Sequence, residues 1–331
     1  MDDAYISLSK NQNPLFDGPS KQNQQMPKLR VVLVTYNHEK FITQALDSVL
    51  SQETNFDYDT VVLEDCSTDS TRTILKEYQE KHPKNLHLVL AEQNQNSNES
   101  WLRAFQEAPS EYVATLDGDD FWTSPHKLQK QVDFLESHPE CSMCFHNVRV
   151  FYEDKSHESY DFTSPEQKEI SGLREILLGN CINGSSPVFR TSVFENLPDW
   201  LLTLKWADWG AYVWAAHHGN LGYIKEIIGA YRIHWKGFYS GMSWIDQLGG
   251  TIQFYQTMKK HLDPKYRKPI KAMLSKQYYE LAMEYENQKD IPKAKVWLRR
   301  SVIEYPFNRF VRMRDLLKMW NRLQSSSRHQ S

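Results

Sequence analysis

An α/β fold on a mostly parallel sheet, followed by an α-helical C-terminal region, is the architecture this sequence predicts, on three observations. From Leu29 to Leu135 hydrophobicity switches between short β-branched runs and helical spacing, the pattern of parallel strands joined by crossover helices. From Trp244 onward the spacing is helical almost throughout. The chain has 331 residues, 40% apolar and 24% charged, which suits a globular protein of about two domains.

Residues 1–28 are rich in Asn, Gln, Ser, Lys and Pro, and are expected to form a leader without catalytic content. The first strand is predicted over Val31–Tyr36, followed by a helix that turns Ile42, Ala45, Leu46, Val49 and Leu50 to one face. A second strand, Thr60–Leu63, precedes a helix with Ile74, Leu75 and Tyr78 inward. His87–Leu90 and Tyr112–Leu116 supply the third and fourth strands. Ser124 and Pro125 are expected as cap and first residue of a helix burying Leu128, Val132 and Leu135. Cys141–Tyr152 reads as a long strand, and a charged loop over 153–169 leads into a less regular region. Domains are therefore expected at 29–245, with halves 29–150 and 151–245, and at 246–331. In the latter, Tyr278–Pro306 has the small and aromatic spacing of one tetratricopeptide-like helix pair.

Ligands of a parallel sheet bind beyond the carboxyl ends of its strands. Between residues 19 and 171 the only glycine is Gly118, so neither a GxGxxG turn nor a GxxxxGK[ST] loop can exist there. A nucleotide diphosphate on this sheet would then be neutralised by a divalent cation held on carboxylates. The fourth strand ends in Asp117-Gly118-Asp119-Asp120-Phe121-Trp122, with three carboxylates that repel one another unless a cation or solvent separates them. An exposed acidic turn is the plainer alternative. The second strand ends in Glu64-Asp65-Cys66-Ser67-Thr68-Asp69, where a carboxylate can accept from a base imide or a ribose hydroxyl. The Tyr36 ring is suited to packing near a base, and Asp69 to capping a helix.

Three segments, VVLVTYNHEKFITQALDSVLSQ (31–52), VVLEDCSTDST (61–71) and YVATLDGDDFW (112–122), together resemble the inverting glycosyltransferases of family 2 with the GT-A fold, in the family's order and spacing. Later segments, Gly184–Arg190, Ala207-Asp208-Trp209 and Tyr231–His234, resemble acceptor-side segments of bacterial surface-glycan members. The resemblance implies a hexosyl- or hexosaminyl-transferase that moves sugar from a nucleotide-diphosphate donor, UDP favoured, to a hydroxyl of a glycan or lipid-linked glycan. It implies Thr35, Tyr36, Asn37, Glu39, Asp65, Arg103 and Asp117 around the donor nucleotide, Asp119 and His234 on Mn²⁺ or Mg²⁺, and Asp208 as catalytic base. Asp208 is equally suited to a helix cap, and His234 to a structural histidine. Glu64 departs from the family's usual paired aspartates, and its role is open.

The remaining features limit the function classes. A net charge of −3 gives no reason to expect nucleic-acid binding. Four irregularly spaced cysteines and the absence of a signal-peptide pattern point to a reducing cytoplasm. Cys141-x-x-Cys144 with His146 has metal-like spacing but no second pair, and core packing is the simpler account. Six of the ten tryptophans fall within 170–245, where one or two would suit stacking on sugar. Residues 293–331 hold ten Lys or Arg against Glu304 and Asp315, a balance of +8. With Trp297, Phe307, Phe310 and Trp320, this stretch suits either peripheral contact with the inner membrane face or a solvated helix surface. Two rival functions are a sugar nucleotidyltransferase, which would want a glycine-rich basic loop in place of Asn37-His38-Glu39-Lys40, and a non-catalytic partner-binding protein that needs no cation.

Overall fold

The computed structural model describes residues 26–94, 101, 102, 104, 105 and 110–328. The leader expected over 1–28 lies outside them except for 26–28, and Arg103 lies outside them altogether. The chain forms two compact units. The first takes residues up to Ile176 and then 180–202 and 211–234; the second takes 177–179, 203–210 and 235 onward.

In the first unit β1 (Leu29–Thr35), β2 (Tyr58–Glu64), β3 (Leu86–Leu90) and β4 (Tyr112–Asp117) lie parallel in the order β3-β2-β1-β4. The strands join through α1 (Ile42–Leu50) and α2 (Thr71–Lys81), and α3 (Lys127–Ser137) follows β5 (Phe121–Trp122). β1 is buried along nearly its whole length, as a central parallel strand must be. Its Leu29, Val31 and Leu33 share a core with Ile42, Leu46 and Val49 of α1 and Leu128, Val132 and Leu135 of α3. The first helix buries Ile42, Ala45, Leu46 and Val49 of the face the sequence predicts, with Leu50 half-buried. Helix α3, however, begins at Lys127: Ser124 Oγ accepts from His126 N at 3.2 Å, so Ser124 and Pro125 shape the turn before the helix and do not cap it.

Past β4 the sheet becomes mixed. β9 (Val188–Arg190) runs antiparallel between β4 and β6 (Cys141–Tyr152), and β10 (Asn220–Ile233) runs parallel to β6 on its far side. Short β7 (Tyr160–Asp161) and β8 (Ile170–Ser171) pair with β6 and β10. The 14-residue β10 falls in the region whose sequence looked irregular. Its alternation is broken by bulges between Ile224 and Gly229, and its Gly222 is required by close packing: a Cβ there would lie 2.1 Å from Cε1 of Phe134. Cys141 and Cys144 are buried, free core residues of β6, with Gln131 Nε2 donating to the Cys144 carbonyl at 3.2 Å.

Helix α4 (Ala207–His218) crosses the division between the units. The second unit is otherwise helical: α5 (Trp244–His261), α6 (Arg267–Asn287), α7 (Ile291–Glu304) and α8 (Met313–Arg328). Helices α6 and α7 approach closely enough for Ser275 Oγ to donate to the Ser301 carbonyl at 2.9 Å and Ser301 Oγ to the Ser275 carbonyl at 2.7 Å. Ala282, Ala294, Leu298, Leu316, Met319 and Leu323 form its core. No helix among the described residues is long and apolar enough to cross a membrane.

Candidate functional site

β1 and β4 are neighbours in register, Val34 opposite Asp117, so their carboxyl ends deliver Thr35 and the Asp117–Asp120 turn to one place. Gly118 N donates to the Val34 carbonyl at 2.8 Å. The turn sits so close to β1 that a Cβ on Gly118 would fall 2.6 Å from Thr35 Oγ1 and 2.9 Å from His38 Nδ1, so only glycine fits without displacing them. The short β5 then pairs antiparallel with β10, bringing the end of that strand alongside.

Asp119 is the meeting point. Its Oδ2 lies 3.0 Å from His234 Nε2 and 3.6 Å from His38 Nε2, while His38 Nδ1 is 3.2 Å from Thr35 Oγ1. Burial, the largest single influence on Asp119, favours its neutral form, but the His234 hydrogen bond and the two imidazoles outweigh it and hold the carboxyl below its ordinary value. Burial pushes the His38 pKa down despite the attraction of Asp119. Asp120, 2% exposed, is raised well above the carboxylate range by burial and then by the charges of Asp119 and Asp117. It accepts Arg232 N at 2.8 Å.

Arg232 holds the turn from behind. Its Nε donates to the Asp119 carbonyl at 2.9 Å and its Nη2 to Gln44 Oε1 at 2.6 Å, and Nη1 pairs with Glu153. The guanidinium stands over the rings of Phe41, Phe151 and Phe121 at 4.6, 4.9 and 5.6 Å. Neither His38 nor Arg232 stood among the expected site residues. The signal available for both was position, one in the loop after β1 and the other two residues before His234.

Of the expected residues, Thr35, Asp117, Asp119 and His234 converge. Tyr36 is 40% exposed at the same strand end, and Asp65 follows β2 with its N–H donating to the Thr35 carbonyl at 3.1 Å. Asn37 and Glu39, expected at the donor, use their side chains to tie the two loops together. Asn37, at φ 57°, accepts Thr68 N at 2.8 Å, and Glu39 accepts Ser70 N at 3.0 Å. Asp69, expected as the helix cap, stands one residue before the cap position, which is Ser70, and accepts from Glu39 N and Thr71 N, tying the two loops together. The open question of Glu64 has a structural answer: it is 1% exposed, ion-paired with Arg72 and bonded to Ser67 N.

Asp208 belongs to the second unit, in the first turn of α4 and inside the helix, not at its cap position. Burial lifts its carboxyl above the ordinary value. Its neighbours are pinned: Trp209 stacks on Phe254 at 4.0 Å, and Trp206 lies where a Cβ on Gly250 would stand 2.6 Å from its ring.

The donor set of the first unit fits a divalent cation. One carboxylate oxygen and two imidazole nitrogens converge, which are ligand types that suit Mn²⁺ and related ions. Among the described residues no trio of His, Cys, Asp or Glu is preset as a cation cage, and the space between Asp119 and His234 is that of a hydrogen bond. A cation there would take the place of the proton they share.

The family model described as "Glycosyl transferase family 2" matches residues 30–197. The uncharacterized protein Rv1520 of Mycobacterium tuberculosis is 32% identical over 212 residues, 64% of this chain and 60% of its own length, so the chain spans less than two thirds of that relative. The putative teichuronic acid biosynthesis glycosyltransferase TuaG of Bacillus subtilis is 28% identical over 187 residues, 54% of this chain and 73% of its own. Among solved structures, TarS 1–349 of S. aureus in complex with UDP-GlcNAc matches with a TM-score of 0.63, 17% identity and 92% of both chains. A Pyrobaculum calidifontis mannosyltransferase in complex with GDP-Man and Mn²⁺ matches with a TM-score of 0.55 and 17% identity over 87% of this chain and 80% of its own. The fold is that of the GT-A glycosyltransferases.

Proposed function

The chain belongs to glycosyl transferase family 2, and on that premise we propose that it moves a hexosyl or hexosaminyl group, with inversion, from a nucleotide-diphosphate donor to a hydroxyl of a growing surface glycan. The observation that carries the reading is the convergence of His38, Asp119 and His234 at the carboxyl ends of β1 and β4. A uridine donor is favoured, in keeping with the UDP-GlcNAc held by the structurally similar TarS. A polysaccharide or lipid-linked acceptor, a cytoplasmic location and peripheral contact with the inner membrane face complete the proposal.

In this mechanism Asp119 and His234, assisted by His38, would hold Mn²⁺ or Mg²⁺. The bound cation supplies charge neutralisation of the departing diphosphate, so no protein acid is needed there. Thr35, Tyr36 and Asp65 receive the base and Asp117 the ribose. Arg232, with its five donors fixed in one plane, holds the Asp119 backbone so that the carboxylate keeps its aim. Asp208 takes the proton from the acceptor hydroxyl as its oxygen bonds to the anomeric carbon and the bond to diphosphate breaks. A raised carboxyl suits that task, because a stronger base takes the proton more readily.

Calorimetric titration with a panel of nucleotide sugars tests the reading. Affinity for one UDP-sugar is expected to fall at least about tenfold when Mn²⁺ is replaced by EDTA, and Asp119→Ala is expected to abolish that difference. Equal affinity in EDTA and Mn²⁺ would overturn the cation assignment. Failure of every nucleotide sugar to bind would overturn the donor assignment.

A further inference from the structure

The second unit carries an apolar surface that its own core does not use. Leu316, Met319 and Leu323 of α8 turn inward and are at most 3% exposed. Met313 and Leu317, four residues apart on another face of that helix, are 40% and 56% exposed. The segment that joins α7 to α8 adds Phe307 at 86% and Phe310 at 39%, and the last turn of α7 adds Ile303 at 81%. Five large apolar side chains thus lie in water within fifteen residues of sequence, around one helix-to-helix corner. The corner itself is anchored: Asn308, 5% exposed, donates from Nδ2 to the Ala272 carbonyl at 2.6 Å.

Charge separates this surface from an ordinary exposed patch. Arg309, Arg312, Arg314 and Lys318 flank the apolar residues against two carboxylates, Asp315, which pairs with Arg312 and Arg314, and Glu304, which pairs with Lys259. The Arg309 guanidinium lies 4.6 Å from the centre of the Phe310 ring. The tryptophans that sequence alone suggested for lipid contact are used elsewhere. Trp297 packs on Tyr278 at 5.5 Å, and Trp320 lies against the core with Arg299 over it.

We propose that this corner is a membrane-docking surface, with Ile303, Phe307 and Phe310 entering the headgroup region of an anionic bilayer and the flanking cations resting on lipid phosphates. Exposed apolar side chains flanked in sequence by cations suit an interface that is apolar below and anionic above. A second copy of the chain is disfavoured on the same surface because it would set cation against cation. With no membrane-spanning helix among the described residues, attachment of this kind is interfacial and reversible.

The test uses the full chain and co-sedimentation with vesicles of phosphatidylcholine, alone or with about one third phosphatidylglycerol. The parent is expected to bind the anionic vesicles, to bind neutral ones at least about tenfold more weakly, and to be released by raised salt. The double variant Phe307→Ser/Phe310→Ser keeps every charge and alters only exposed side chains, and is expected to lose at least about tenfold in partition with unchanged circular dichroism. Arg309→Gln/Arg312→Gln is expected to remove the salt sensitivity. Nucleotide-sugar affinity serves as the independent readout, expected unchanged in both variants, so this surface and the donor site fail separately. Vesicle binding by the double phenylalanine variant equal to that of the parent would overturn the proposal. So would absence of vesicle binding combined with a parent dimer, seen by sedimentation equilibrium, that the double variant turns into a monomer.

Discussion

Asparagine is nearly the size of aspartate but cannot take a proton at neutral pH, so Asp208→Asn separates a base from a structural residue of α4. Turnover is expected to fall on the order of a hundredfold while donor affinity in Mn²⁺ stays near that of the parent; steady-state kinetics beside calorimetry read both. A rate within a few-fold of the parent would assign the base elsewhere. The parent's acid limb should also lie above the ordinary carboxylate range, since burial raises Asp208 and the base must be ionised to work. Lys127 bears on stability and not on the chemistry of the site. Its side chain is fully buried, Nζ has no hydrogen-bond partner among the described residues, and the ring centre of Trp122 lies 3.9 Å away. Burial holds its pKa well below 10.5. The unfolded chain therefore binds a proton that the folded chain does not, and stability rises with pH until about 10.5, where both forms are neutral. Lys127→Met is expected to stabilise the protein by about 1–3 kcal/mol at pH 7, with the gap narrowing towards pH 10. Urea midpoints of both proteins at the two pH values check the sign. A gap that widened with pH would mean that Lys127 is folded as a stabilised cation.

At the scale of elements, the site depends on how closely the turn after β4 approaches the end of β1. Gly118→Ala places a methyl group 2.6 Å from Thr35 Oγ1 and 2.9 Å from His38 Nδ1, so the side chains around Asp119 must give way. Overpacking of this kind costs about 1–3 kcal/mol, too little to unfold a domain of this size but enough to spoil a ligand set. Donor affinity in Mn²⁺ is expected to fall at least about tenfold with the circular dichroism spectrum retained; unaltered affinity would show that the turn tolerates a looser fit. The same elements show what sequence could and could not convey. The ends of β2 and β4 were legible because apolar runs stop there at clustered carboxylates, and the end of β1 because its apolar run stops at Thr35-Tyr36-Asn37. β10 was not, because Gly222 and the bulges that fit it against α3 erase its alternation. His38 and Arg232 were hidden for another reason. Their roles arise from pairings between strands far apart in the chain, β1 with β4 for His38 and β5 with β10 for Arg232, which no local pattern reports. Asn37 and Glu39 belong to the loop after β1, and their side chains accept from Thr68 N and Ser70 N in the loop before α2.

For the molecule as a whole, the charge is unevenly spread: residues 293–331 carry +8 within a chain of net −3, so the remainder carries −11. The acidic part holds the Asp117–Asp120 turn, and the basic part holds the docking corner, each with its own packed core. A ligand that binds only the folded site adds RT ln(1 + [L]/Kd) to every opening that breaks that site, about 2.7 kcal/mol at a hundredfold excess over Kd, and nothing to openings that leave it intact. Hydrogen exchange followed by mass spectrometry can therefore map the site without presupposing its chemistry. With a UDP-sugar and Mn²⁺, amides over 35–38, 117–120 and 232–234 are expected to slow together by up to about a hundredfold, because they belong to three strands joined in one sheet. Amides over 291–328 are expected to keep their rates in the same sample. EDTA should restore fast exchange at all three site segments together, since one cation would link Asp119 to His234 across them. Protection that appeared at 117–120 alone, or that survived chelation at 232–234, would break that link and leave His234 as a partner of Asp119 in the fold and not in the chemistry.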